Sequence, residues 1–403
     1  MGSDSFVDSP KAATSTQHIV FDSFSLIENG VLRLPRPEER KLLFNLFQHT
    51  YAVAVGPLMV IIRVKALPPK PWPITVAGAP LYLTTSETDQ PVTLGQMGGG
   101  AAALSEYNAS NGSRSHTLTE MIKKGAEYLS STKLKFSSMV YLGTLWIVSV
   151  QSGTKLESLP NKLCCLPCFY RDEKPSVRGQ EAAPSRTQPT DIVRDESDYG
   201  KKLRPGVMLG NGSHSDELLT SSGVCVQDKQ SGELLMIVAS HGFPLGQESV
   251  YHPNKRGLEV GSVVKILDDS NISLARLHPG YAYENKPFGD DCGFSKPLTD
   301  FMAVDDIKLR DLIHINSPFM EFLEGQVVSV EFTTVPADNI GKWVFSNWLW
   351  FGNGAFPTDG YCGAPVINDD KVVCFFRFMG EDNIARAIAA DIIAPYYELK
   401  KKA

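Results

Sequence analysis

The sequence is short of the features that settle a protein's class quickly. No apolar run approaches the ~20 residues a membrane helix needs; the most hydrophobic stretch, residues 51–62, is broken by Gly56-Pro57. Charge of one sign is not in excess: 39 basic against 45 acidic residues leave −6, and the basic residues form no stripe, so a footprint for nucleic acid is missing. The first 17 residues are small and polar, without the basic start and apolar centre of a secretory signal. Cysteine is scarce and odd in number, seven in 403 residues at irregular spacing, which speaks for free thiols and against a disulfide framework. These absences lead to the expectation of an intracellular, cytoplasmic protein with no membrane or nucleic-acid partner and no cofactor.

What is present fits a globular chain, with 42% hydrophobic and 21% charged residues and length enough for two or three cores. After a polar leader (1–17), residues 18–160 read as an α+β module. Strands are expected near Ile19–Phe21, Val31–Leu34, Tyr51–Val55, Leu58–Val64 and Leu81–Thr85, with helices over Glu38–His49 and Leu118–Leu129. Phe136–Val150 suggests a hairpin turning near Gly143-Thr144. Gly98-Gly99-Gly100 is not followed by Gly-Lys-Ser/Thr, so a flexible surface loop is expected there rather than a phosphate cradle.

Cys164, Cys165 and Cys168 cluster at the start of segment 161–204. A structural zinc site needs four ligands, and no Cys/His pair stands at a matching distance, so no metal is expected; lipid modification of these thiols is an alternative. The remainder of this segment is rich in charge, Pro, Ser and Gln and reads as a disordered linker. Within residues 205–400 strands are expected over Gly223–Val226, Leu234–Ala239, Gly261–Leu267, Gln326–Phe332, Trp343–Phe345 and Lys371–Phe378, ending in a strand over Ala387–Ile393 and a short helix over Ala394–Leu399. His252, His278 and His314 lack partners at metal spacing and read as structural or surface residues. Trp343, Trp348 and Trp350 alternate as core residues of a strand do.

The chemistry concentrates in Asp359-Gly360-Tyr361-Cys362-Gly363-Ala364-Pro365. Glycines on both sides of a thiol allow a tight turn and an accessible nucleophile. Upstream, the apolar run Leu234–Ala239 ends in Ser240-His241-Gly242, which puts a histidine at the rim of a sheet. A third segment, Asp268-Asp269-Ser270-Asn271-Ile272-Ser273-Leu274-Ala275, lies between them in sequence. Gly-x-Cys-Gly-x-Pro resembles the nucleophile turn of the trypsin/chymotrypsin-like peptidases, with cysteine in the serine position as in viral cysteine peptidases of that fold. The apolar-Ala-x-His segment and the aspartate-bearing strand of the family have counterparts here in the same order.

The resemblance implies an all-β double barrel over 205–400 behind the smaller α+β module, and an activity against a peptide or protein substrate. It implies Cys362 as nucleophile, His241 as general base, and Asn271 as orienting residue, with Asp269 as the alternative on the same strand face. The backbone N–H groups of Gly360 and Cys362 would form the oxyanion hole, and Phe356 would floor the specificity pocket. Asn271 departs from the family's aspartate: a neutral amide can fix the histidine tautomer without stabilising the imidazolium. An inactive pseudo-peptidase acting as a binding or signalling scaffold is therefore the alternative, with a cysteine acyltransferase or esterase as a third reading.

Overall fold

The computed structural model describes residues 18–28, 31–56, 58–69, 72–85, 87, 94–104, 117–172, 202–212, 219–243, 249–254, 256–267, 270–289, 295–317, 320–333, 343–350, 360–379 and 384–400. The chain divides into two compact units, one of residues 1–92 with 349–356, the other of 93–348 with 357–403.

The first unit holds a five-stranded sheet in the order His18–Ile19, Thr75–Val76, Ala79–Thr84, Val60–Val64, Thr50–Val55. Val60, Ile62 and Leu81 of the sheet are buried with Leu26 and Leu43, each such side chain contributing about 1.5–3 kcal/mol by leaving water. The helix spans Pro37–Phe44 and is shorter than the expected Glu38–His49. Pro37 starts it, and Glu39 reaches back to accept from the Arg36 N–H at 2.7 Å. His49 has φ +62°, a left-handed backbone that no α-helix contains, while Leu46 and Phe47 pack against the core from outside the helix.

Two closed barrels are built from strands between Met208 and Ala389. The strands of the first are β1 (Met208–Gly210), β2 (Leu219–Ser221, continued by Cys225–Asp228), β3 (Leu234–Ala239), β4 (Ser249–His252), β5 (Leu258–Leu267) and β6 (Ile272–Leu277). β2 bends through Ser222-Gly223-Val224, exchanging backbone hydrogen bonds with Gly206 and Val207 beside β1 before the bend and with Ile237 of β3 after it. The ring therefore closes in the order 1-2-3-6-5-4. The second ring consists of β7 (Leu312–Ser317), β8 (Met320–Thr333), β9 (Trp343–Trp350), β10 (Pro365–Asn368), β11 (Lys371–Met379) and β12 (Ile384–Ala389). Its order, 7-8-9-12-11-10, repeats the connectivity of the first. The expected all-β double barrel is thus built by the strand pairings themselves.

β3 explains the continuous apolar run that marks it in the sequence. Met236 and Val238 point into the first barrel with Leu209, Val263 and Ala275. Leu235 and Ile237 alternate to the opposite face and meet Ile367, Val372, Phe375 and Ile388 of the second barrel. A strand buried on both faces holds the residues that follow it, including His241, at the seam between the barrels.

Several expectations are corrected here. Ala394–Leu399 is not a helix: a single 3-10 turn (Ala390–Ile392) leads to β13 (Tyr397–Leu399), which pairs antiparallel with Cys225–Asp228 and ties the chain end back to the first barrel. Tyr397 and Leu399 are buried with Glu398 exposed between them, the period-two signature of a strand. The strands Gln96–Met97, Phe136–Tyr141, Trp146–Val150 and Leu166–Asp172 share a sheet with the second barrel, because Phe136–Tyr141 pairs antiparallel with Val330–Thr333 of β8. The hairpin Phe136–Tyr141/Trp146–Val150 and the helix Leu118–Ser131 belong to this extension. Gly98-Gly99-Gly100 is not a flexible loop. A Cβ at Gly98 would lie 2.4 Å from the Pro160 carbonyl oxygen and one at Gly100 2.8 Å from that of Leu159, so glycine is required by backbone packed on backbone.

The expected linker from 161 begins as strand. Lys162–Leu163 and Leu166–Asp172 form a hairpin whose two turn residues, Cys164 and Cys165, have φ +50° and +62°. Cys164 and Cys168 are core residues, and burial pushes their thiols up to about 11 and about 12. Residues 173–201 lie outside the described residues. Among the described residues no group of three or more His, Cys, Asp or Glu could hold a metal ion, and no helix is long and apolar enough to cross a membrane.

Candidate active site

His241 lies in the one-turn 3-10 helix Ser240–Gly242 that ends β3. Three hydrogen bonds tie this turn to the start of β6. The Ser240 N–H donates to the Asn271 carbonyl (3.0 Å), the Ser240 and Ser273 hydroxyls meet at 2.8 Å, and the His241 N–H donates to Asn271 Oδ1 (3.1 Å). That same Oδ1 lies 3.0 Å from His241 Nδ1. The backbone contact fixes the amide's orientation, since an N–H must face the oxygen and not the NH2 group. An amide oxygen can only accept, so Nδ1 carries the hydrogen and Nε2 is the basic nitrogen of the neutral ring. Asn271 has φ +54°, a left-handed conformation that Asn and Asp adopt more readily than other non-glycine residues.

Cys362 sits on the turn before β10, half-buried, and its thiol donates to the Arg377 carbonyl of β11 at 2.8 Å. Gly360 (φ +103°) and Gly363 (φ +93°) supply the backbone angles that make the turn. The Tyr361 carbonyl accepts from Ala364 N–H at 2.8 Å, inside the turn. In the trans peptide that follows, the Cys362 N–H opposes that carbonyl and points out of the turn. Gly363 N–H donates to Phe376 and Phe376 N–H to Ala364, which seats the turn on β11.

The two halves of the constellation meet on β2. Ser221 N–H donates to the Cys362 carbonyl at 2.9 Å, and Ser221 Oγ donates to the Gly360 carbonyl at 2.7 Å. Thr220, its neighbour, packs its methyl group beneath Gly242, where a Cβ would lie 2.3 Å away. A Cβ on Gly363 would stand 2.6 Å from the Ser221 carbonyl oxygen and 3.1 Å from the nitrogen of Ala239, two residues before His241. The thiol turn and the histidine turn are therefore packed against the same short stretch of backbone.

The structure thus brings His241 and Asn271 into direct contact and packs the Cys362 turn beside the strand that carries His241. Asp269, Asp359 and Phe356 lie outside the described residues. His252 is buried with Nδ1 2.7 Å from the Met208 carbonyl, and His278 faces Glu259 on the surface at 3.1 Å. Thr220 and Ser221 had no sequence signal; they precede the expected strand at Gly223–Val226.

No family model matches the chain, and no curated protein matches it. Solved structures similar to about half of it include several proteases. A glutamic acid-specific serine protease shows 13% identity over 49% of this chain and 100% of its own, with a TM-score of 0.38. Thermobifida fusca Protease A shows 11% identity over 50% and 100%, with a TM-score of 0.38. Cellulomonas bogoriensis chymotrypsin shows 11% over 50% and 100%, with a TM-score of 0.36.

Proposed function

We propose that the chain is a trypsin-like peptidase that cleaves peptide bonds with Cys362 as nucleophile, His241 as general base and Asn271 as the residue that orients the ring. The observation that carries this reading is the double use of Asn271 Oδ1, at 3.1 Å from the His241 N–H and 3.0 Å from Nδ1. A histidine clamped in this way keeps its hydrogen on Nδ1 and its basic nitrogen at Nε2, the tautomer a general base needs. The repeated barrel order and the shared packing of the two turns on β2 support it further.

In the reaction, His241 Nε2 takes the thiol proton. The sulfur's electron pair forms a bond to the substrate carbonyl carbon while the carbonyl oxygen gains the negative charge, which the N–H groups of Gly360 and Cys362 would hold. Collapse breaks the C–N bond, the amine leaves with the proton from His241, and a thioester remains. Water, deprotonated by His241, then cleaves the thioester and returns the thiol. The neutral Asn271 suits a thiol, which is far more acidic than a serine hydroxyl and asks less of its base.

The test is the pH dependence of Cys362 alkylation by iodoacetamide, mapped by mass spectrometry in the folded protein and in His241→Ala. Burial pushes the Cys225 thiol up to about 11 and that of Cys374 well above its ordinary range, as it does for Cys164 and Cys168. These four therefore stay unlabelled near pH 7. Rapid labelling of Cys362 near neutral pH, lost in the variant, is the expected result. A profile centred at the ordinary thiol value of about 8.5 in both proteins would remove the nucleophile from the reading.

A further inference from the structure

Ser221 makes two hydrogen bonds that span from the first barrel to the second. Both end on carbonyls of the nucleophile turn, on either side of that of Tyr361: Oγ to Gly360 at 2.7 Å and N–H to Cys362 at 2.9 Å. With the Tyr361 carbonyl held by Ala364 at 2.8 Å, the three successive peptide planes from Gly360 to Gly363 are all anchored. Two of the three anchors belong to Ser221, which is fully buried, as is Thr220 beside it. The Thr220 methyl group in turn supports Gly242, next to His241.

We infer that Ser221 is a positioning residue that holds the nucleophile turn in the orientation required to receive the oxyanion; this rests on the peptidase reading above. Its hydroxyl has no route to the substrate, since it is spent on the Gly360 carbonyl. The Cys362 N–H belongs to the peptide plane of the Tyr361 carbonyl, and Ser221 anchors the planes on either side of it through the Gly360 and Cys362 carbonyls, so the hydroxyl acts through the neighbouring plane on where that N–H points. Preorganised donors of this kind stabilise charge only where they are already aimed at it. The sulfur's own ionisation depends instead on His241 and is not expected to change with Ser221.

That separation defines the experiment. Iodoacetamide alkylation of Cys362 involves no oxyanion, whereas acylation by a p-nitrophenyl peptide ester does. In the latter the sulfur–carbon bond forms, the carbon–oxygen bond breaks, and nitrophenolate leaves with the electron pair. Ser221→Ala removes the side-chain bond and keeps the backbone one. The expected result is an acylation burst slowed about 10-fold or more while the alkylation rate at every pH stays within about twofold. Equal losses in both reactions would reduce Ser221 to a fold-holding role and overturn the inference, as would no change in either. If the wild-type thiol shows neither neutral-pH alkylation nor a burst, the peptidase reading fails and the inference with it, an outcome distinct from the first two. Ser221→Gly, which also removes the hydroxyl and keeps the backbone bond, serves if Ser221→Ala does not fold; wild-type acylation in that variant overturns the inference.

Discussion

Asn271 gives one amide oxygen to two hydrogens of His241, the backbone N–H at 3.1 Å and ring Nδ1–H at 3.0 Å. The pairing fixes both the position of the turn and the tautomer of the ring. It leaves out one thing an aspartate in that place would supply, a negative charge beside the imidazolium.

Exchanging Asn271 separates those two contributions. Asn271→Ala removes the acceptor and frees the ring, and Cys362 alkylation near pH 7 is expected to fall about 10- to 100-fold. Asn271→Asp keeps the acceptor and tolerates the left-handed φ of +54°. The added charge favours the protonated ring, so the range over which a thiolate–imidazolium pair persists should extend upward by about one pH unit. Stopped-flow alkylation across pH 5–10 reads both variants, and an Asn271→Ala profile matching wild type would sever Asn271 from the site.

Much of this arrangement was legible in the sequence, and the reason is local. His241 follows an apolar strand directly, Cys362 stands between glycines, and Asn271 opens a strand, so each announces itself within about ten residues. Ser221 could not be found that way. It lies 139 residues from Gly360, inside an ordinary strand, and its importance comes from the closing of the barrel ring and nothing nearer. The glycine run 98–100 was misread for a similar reason: composition suggests a mobile loop, while the backbone of residues 157–160 packed against it is invisible in one dimension. The strand at Tyr397–Leu399 also depends on a distant partner, Cys225–Asp228.

Gly363 is hemmed in by backbone. It has φ +93°, and a Cβ there would lie 2.6 Å from the Ser221 carbonyl oxygen and 3.1 Å from Ala239 N. Both obstacles are backbone atoms that no rotamer change can move. Gly363→Ala is therefore expected to cost about 1–3 kcal/mol of stability through strain and to displace the Cys362 turn from the histidine strand. Alkylation of the folded variant at neutral pH should drop to the rate of an ordinary thiol. Urea unfolding with parallel alkylation checks it; unchanged reactivity in a destabilised protein would mean the turn's seat on β2 does not control the thiol.

Asp391 gives a pH-dependent effect of definite sign. It lies in the 3-10 turn after β12, accepts the Val304 N–H at 3.0 Å, and is raised above the ordinary carboxylate value of 3.8 by burial first and by the nearby Asp305 second, with the Val304 bond opposing. A carboxyl raised in this way binds its proton more tightly folded than unfolded. The stability so gained is full below 3.8 and is lost as pH rises through the folded value. At pH 7 the folded protein therefore carries a buried charge at a cost. Asp391→Asn keeps an oxygen for the Val304 N–H and removes the charge, so this variant should melt higher than wild type at pH 7. The gain should shrink as pH falls and vanish below about 3.8, where the wild-type carboxyl is also neutral. Calorimetry at pH 7, 5 and 3.5 follows the difference. A gain that persists unchanged at pH 3.5 would assign it to packing, and a loss at pH 7 would mean that the ionised carboxylate is held by more than the Val304 bond.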